Sequence, residues 1–277
     1  MTEAVKLVTL IDIIFILLLV LSGSVSGFVG EIVYYVAFIV PIAIGFYSSR
    51  GLKIKREEIK GVSEPQETLT NFSHVKLLRT LPLIAPTVAV VFFVSLLTSL
   101  LLSLAGISGN TVKNENIAKM ILVHAISPAL FEEALFRYIP MKLLLPYSKR
   151  WCIIYSALCF SLIHCSFAAM PYAFIAGAVF MAVDIALDSV WPSVILHLLN
   201  NLASVIWIKY CSTLTASLIF ISVILVLAAI SVVFIFIRKK EYHELFCHTF
   251  DRGEGFAYSY APALLAVISC CIAAMSL

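Results

Sequence analysis

Glu132, Glu133 and Arg137 sit in PALFEEALFRYIP, His164 in FSLIHCSF, and His197 with Asn201 in HLLNN, and the residues around each are as oily as a lipid-facing helix. An ionisable side chain at the centre of a bilayer costs roughly 2.5 to 3.5 kcal/mol on insertion scales, so three in one stretch need partners or a purpose. Read as a helix turning roughly 100° per residue, the first stretch puts Glu133 and Arg137 within pairing reach and points Glu132 elsewhere. Glu132 is therefore the carboxylate expected to be free. Phe160 and His164 share a helix face at four-residue spacing, and so do His197 and Asn201.

Such a set can do chemistry on a carbonyl. A carboxylate and an imidazole within hydrogen-bond reach of one water can take its proton as it attacks. A second imidazole and a carboxamide are donors for the oxyanion of the tetrahedral intermediate. Together these groups suffice for peptide-bond hydrolysis. Glu132, His164 and His197 are equally three N/O ligands suited to a catalytic zinc with an open fourth position. The residue types allow both mechanisms. The structural alternative is an ion-pair cluster with two interhelical histidine hydrogen bonds. Two imidazoles, an amide and a free carboxylate in neighbouring spans weigh against it.

The elements that must position these residues follow from composition. Of 277 residues, 62% are hydrophobic and 13% charged, against about a quarter charged in soluble domains. The chain reads as an integral membrane protein, all-α, a polytopic transmembrane bundle of eight to nine helices. Apolar runs of spanning length lie at about 7–29, 31–49, 80–106, 118–138, 151–168, 170–188, 191–209 and 213–237, with a weaker ninth at 259–277. The first resembles a secretory signal only in part: Asp12 interrupts it and no small-residue cleavage site follows, so it is expected to be retained. Three regions result: residues 1–117 with three helices and a polar loop at 50–80, a core at 118–209, and 210–277 with further helices and a polar segment.

Counting along these spans tests convergence. Glu132 and His164 are each sixteen residues from Ser148 in the basic turn between the fourth and fifth spans, so they are expected at one depth. His197 lies about six residues into its span against about thirteen for His164 in the parallel fifth span, a mismatch of about 10 Å that tilt, kinks or shifted boundaries must absorb. Fifteen Lys and Arg residues fall on the side of the N-terminus and three on the other, with Arg137 inside a helix. The positive-inside rule makes that N-terminal side cytoplasmic.

The remaining polar features carry little chemistry. The 50–80 segment mixes both charge signs and reads as a solvated or headgroup-contacting linker. His243, Cys247 and His248 lack the second spaced pair a metal knuckle needs. The seven cysteines are an odd number without C-x-x-C spacing and read as small core residues. Asp184 and Asp188 read as a cap or membrane-end feature before Trp191 and Pro192. No repeat, nucleotide-binding glycine loop or nucleic-acid-binding feature is seen.

Glu132-Glu133-x-x-x-Arg137, Phe160-x-x-x-His164 and His197-x-x-x-Asn201, in that order, resemble the EExxxR, FxxxH and HxxxN motifs of the CPBP family. That family comprises the type II CAAX prenyl endopeptidases and the related bacteriocin-processing and immunity proteins. SVWPSVILHLLNN, residues 189–201, is similar to the family's approach to its last motif, and the resemblance covers residues 118–203, roughly a third of the chain. It implies an all-α intramembrane protease whose site opens towards the cytoplasm. It further implies that Glu132 with His164 activates water, that His197 with Asn201 stabilises the oxyanion, and that Glu133 and Arg137 support the site. For the family both zinc-dependent and metal-free, glutamate-driven mechanisms are argued. One departure is Tyr138, which follows Arg137 where many relatives carry glycine.

The expected function is an intramembrane endopeptidase acting on a membrane-associated peptide or protein, with the lipid bilayer as its other partner, no nucleic acid, and zinc as the one cofactor the residues suggest. A non-catalytic immunity or scaffold protein of the same fold is the alternative. A proton-coupled transporter is disfavoured because no inverted repeats or glycine-interrupted helix pairs are seen.

Overall fold

The computed structural model describes residues 2–26, 28–57, 73–104, 116–164 and 166–247. Among them there are helices and turns and no strand. The helices are α1 (Thr2–Ser24), α2 (Phe28–Glu57), α3 (His74–Leu104), α4 (117–143), α5 (Lys149–Leu162), α6 (Met170–Leu187), α7 (Trp191–Tyr210), α8 (Leu214–Ile237) and α9 (Lys239–Cys247). Among the described residues six of these, α1, α2, α3, α6, α7 and α8, are long and apolar enough to cross a membrane. The chain is an all-helical membrane bundle.

Each of the eight firmer spans corresponds to a helix, and the ninth, at 259–277, lies outside the described residues. The boundaries differ in places that matter. α2 runs on to Glu57 and α3 starts at His74, so much of the segment expected as a polar loop is helical; residues 58–72 lie outside the described set. α5 has 14 residues and stops at Leu162. At 1.5 Å per residue it is about 21 Å long, short of the roughly 30 Å hydrocarbon core. Its apolar pattern continues to 168, but the chain turns: the His164 N–H bonds Ser161 O at 3.3 Å, and the Ser161 hydroxyl donates to Met170 O at 2.8 Å, tying the corner to the start of α6.

α4 is not one regular helix. Its α-helical pieces Ile117–Ile121, Ser127–Glu133 and Ile139–Leu143 are joined by π-helical turns at Leu122–Ile126 and Ala134–Tyr138. Each π turn precedes a proline, Pro128 or Pro140, whose ring nitrogen cannot donate to the carbonyl four residues back. The wider turns redistribute the donors: Ser127 N–H reaches Leu122 O and Ile139 N–H reaches Ala134 O, both five residues back. The carbonyl that Pro140 orphans, Phe136 O, takes the Ser156 hydroxyl of α5 at 2.5 Å.

Two apolar clusters hold the bundle. One joins α1, α2, α4, α5 and α6, with Phe15 against Phe38 at 4.7 Å and against Phe136 at 5.6 Å between ring centroids. The other joins α3, α6 and α7 through Val91, Phe180, Val183, Leu187 and Leu196. α8 leans on α3 and α7 through Phe92, Trp207 and Phe220, with none of its residues buried, which suits a helix facing lipid. Close approach needs glycine at two points. A Cβ on Gly45 would meet Ile139 of α4, and one on Gly177 would lie 3.0 Å from the Ala157 Cα of α5. Tyr138, which stands where many relatives carry glycine, is turned towards α2, where it stacks on Phe46 at 6.4 Å.

The ends bearing Lys76, Arg79 and Arg238 gather on one side. Arg79 pairs with Glu241 of α9 at 3.2 Å, the Tyr242 hydroxyl donates to Arg79 O at 3.2 Å, and the Lys76 ammonium donates to Asp188 O at 2.6 Å. α1 joins them lengthwise along α5: Tyr155 donates to Asp12 Oδ2 at 2.8 Å, and the Thr9 and Tyr155 hydroxyls lie 3.4 Å apart. Of the cysteines, Cys152 and Cys159 are buried as expected, whereas Cys211 is half-buried and Cys247 exposed; the other three lie outside the described residues.

Candidate active site

Arg137 and Glu133 form the innermost part of the site, both with 0% of their side-chain surface exposed. Arg137 Nε lies 3.2 Å from Glu133 Oε2, the pairing that their four-residue spacing predicts. A buried guanidinium also needs partners beyond one carboxylate. Ser156 Oγ accepts from Arg137 Nη1 at 3.5 Å, and the Phe160 and Phe180 rings lie 4.4 and 5.6 Å from the guanidinium carbon.

Glu133 has a second role that spacing along α4 does not predict. Its Oε1 lies 2.6 Å from His197 Nδ1, joining α4 to α7. Because a carboxylate paired with Arg137 accepts, Nδ1 must carry the proton. The other ring nitrogen, Nε2, is then the reactive one, and it faces Glu132 Oε2 at 3.9 Å. His197 therefore stands between the two glutamates, with its ring packed edge-on to Phe160 and tilted on Phe180, each at 5.6 Å. The Glu132 side chain is 13% exposed, so it borders the site's open side while Glu133 closes its floor.

The depth mismatch expected for His197 is narrowed to about 6 Å by where α4 ends, and helix tilt takes up the rest, since His197 and Glu133 meet at 2.6 Å. The helix stops at Leu143 and a turn follows, so Glu133 is ten residues from its end, against six from Trp191 to His197. His164 is placed differently from the expectation of a mid-helix residue: it lies two residues beyond the end of α5. Its Nδ1 is 2.8 Å from Phe160 O, which makes Nδ1 the donor and leaves Nε2 as the basic nitrogen. Its ring meets Phe160 at 5.1 Å and Tyr172 at 6.4 Å. Tyr172 in turn interacts electrostatically with Glu132. Asn201, one turn beyond His197, accepts from the Asn200 amide at 3.4 Å through its Oδ1. Its own NH₂ is thereby turned to donate elsewhere.

A zinc held by Glu132, His164 and His197 needs three donors around one point at about 2.0 to 2.2 Å each. Glu132 Oε2 and His197 Nε2 face each other, and Glu133 behind His197 Nδ1 is the kind of carboxylate that orients a ligating imidazole. No group of three His, Cys, Asp or Glu side chains among the described residues is arranged to hold an ion, however.

Three contributors were not legible as site residues. Ser156 reads as an ordinary small residue, although Pro140 in the partner helix signals an orphaned carbonyl. Phe180 has no sequence signal beyond apolarity. Asp184, taken as a cap, is buried with 0% exposure and accepts the Ser193 N–H at 2.9 Å, so it caps α7 from the preceding helix.

No curated protein and no solved structure matches this chain. Residues 114–203, which carry all three motifs and every contact of His197 described above, match the model of the family described as type II CAAX prenyl endopeptidase Rce1-like, and it is to these intramembrane proteases that this part of the chain is similar.

Proposed function

We propose that this protein is an intramembrane endopeptidase that hydrolyses a peptide bond in a membrane-associated peptide or protein. The observation that carries the reading is His197 held between Glu133 at 2.6 Å and Glu132 at 3.9 Å, with the rings of Phe160 and Phe180 packed against it. An ion-pair cluster built only for packing needs Glu133 and Arg137. It has no use for a second carboxylate aimed at the far nitrogen of the imidazole.

In the reaction, Glu132 with His164 takes a proton from water as the water oxygen bonds to the carbonyl carbon. The resulting oxyanion is held by the Asn201 amide and by His197 Nε2, which must carry a second proton to donate there. Collapse breaks the C–N bond, and the proton taken from water passes to the leaving amine, giving one new carboxylate and one new amine. Glu133 keeps His197 in place through Nδ1, and Arg137 neutralises Glu133. The residues support this glutamate-driven course, and no step is assigned to zinc. Similarity to type II CAAX prenyl endopeptidases points to substrates carrying a lipid near the cleaved bond, and we carry over that class alone. We place the N-terminus and the mouth of the site on the cytoplasmic side, supported by the clustering of basic residues at that end of the bundle.

The test uses purified protein in proteoliposomes with two probes, a farnesylated CAAX-type peptide and an unlipidated hydrophobic leader peptide, in H₂¹⁸O. Hydrolysis puts one ¹⁸O into a new carboxyl terminus, detected by mass spectrometry. Binding of both probes without cleavage overturns the reading in favour of an immunity or scaffold protein. Metal analysis and chelation on the same sample are expected to leave activity unchanged. Loss of activity on chelation, restored by zinc, assigns the metal mechanism instead.

A further inference from the structure

The Asp184–Ser193 contact does more than cap a helix. α6 and α7 are antiparallel across the corner at 188–190, and two contacts between them share one register: Asp184 Oδ1 with the Ser193 N–H at 2.9 Å, and Phe180 with His197 at 5.6 Å. Moving four residues back along α6 and four on along α7 leads from one contact to the other. The end of α7 that bears the first contact is anchored atom by atom. Its Trp191 N–H goes to Ser189 Oγ at 3.4 Å, Pro192 has no N–H, and the Ser193 N–H goes to Asp184. Val190, at the cap position, offers no side-chain bond.

The same residue closes α6. Asp184 O accepts the Ser189 N–H at 3.1 Å while Ile185 O accepts the Asp188 N–H at 3.4 Å, with Asp188 left-handed at φ 50° and ψ 52°. Lys76 of α3 holds the Asp188 carbonyl at 2.6 Å. The backbone of Asp184 thus fixes where α6 stops and its side chain fixes where α7 starts. With both ends of the corner set, His197 can meet Glu133 at one height. A slip of α7 by one turn, about 5.4 Å, would carry it past.

We propose that Asp184 is a positioning residue of the site, whose carboxylate sets the depth and rotation of α7 through the Ser193 N–H and so makes the contact between His197 and Glu133. This inference rests on the proposed hydrolysis for its kinetic readout but not for its structural one. In the Asp184→Ala variant, kcat for the cleaved probe is expected to fall about 10- to 100-fold with KM within about twofold, the loss that a misplacement near 1 Å produces. Asp184→Asn, which presents the same Oδ1 acceptor, is expected to restore most of kcat. Independently of activity, ¹⁵N-histidine NMR is expected to find the deshielded Nδ1 proton of His197 in wild type and Asp184→Asn and not in Asp184→Ala.

Wild-type kcat and an unchanged His197 resonance in Asp184→Ala overturn the proposal, as does an Asn variant no better than Ala on both readouts. If Asp184→Ala does not fold, Asp184→Glu, which displaces the acceptor by one methylene, decides in the same way: loss supports the proposal and wild-type behaviour overturns it. A wild type that cleaves neither probe while the resonance follows the expected pattern sinks the proposed hydrolysis and leaves the positioning role standing.

Discussion

Arg137 gives the clearest single-residue prediction, because its guanidinium is fully buried against Glu133. Arg137→Leu leaves that carboxylate buried without its partner and is expected to destabilise the fold by about 3 to 5 kcal/mol. Glu133→Leu combined with Arg137→Leu removes both charges and is expected to recover much of that stability while remaining inactive, since His197 then loses its Nδ1 partner. Unfolding in detergent measures both, and a double variant as unstable as the single one contradicts the pairing. At this scale the sequence is partly legible. Four-residue spacing along one helix predicts the contact between Glu133 and Arg137. The contact between Glu133 and His197 crosses from α4 to α7, and helix periodicity contains no information on which face of one helix meets another.

Ser156→Ala tests how α4 is fastened to α5. It removes the donor to Phe136 O and the acceptor of Arg137 Nη1 together, and buried groups left unpaired cost about 1 to 3 kcal/mol each. The variant is therefore expected to melt earlier and to lose activity; wild-type melting would show that the orphaned carbonyl has another partner. Gly177→Val tests the approach of α5 to α6. Its Cβ would already lie 3.0 Å from the Ala157 Cα, so the helices must separate, at about 1 to 3 kcal/mol for an overpacked interior. Melting and activity are expected to fall together. The existence of the helices is legible because apolar runs of spanning length announce them. Their details are not: the apolar pattern runs on past Leu162 while the helix ends there and the chain turns at His164, and the π turns of α4 are signalled only by Pro128 and Pro140. His164 is consequently read as mid-helix when it lies at a corner.

For the whole molecule, the contacts of Lys76, Arg79 and Glu241 gather the charged ends of α3, α6 and α9 on one side, which the distribution of Lys and Arg anticipates. Protease accessibility of an N-terminal tag in inverted membrane vesicles is expected to place that side in the cytoplasm; protection in inverted and cleavage in right-side-out vesicles would reverse the orientation. What composition alone supplies is the membrane bundle, and what the three motifs supply is the region similar to the type II CAAX endopeptidases. The gathering of α4, α5 and α7 around one imidazole is not legible in the sequence, since it depends on helix ends and tilts that apolar sequence does not encode. The most direct measurement is product formation by purified Glu132→Gln protein beside wild type in the same proteoliposomes. Gln keeps the size and hydrogen bonding of the side chain and removes its basicity, so the account predicts a folded protein that binds the probe and forms no product above background. Cleavage at the wild-type rate would contradict it.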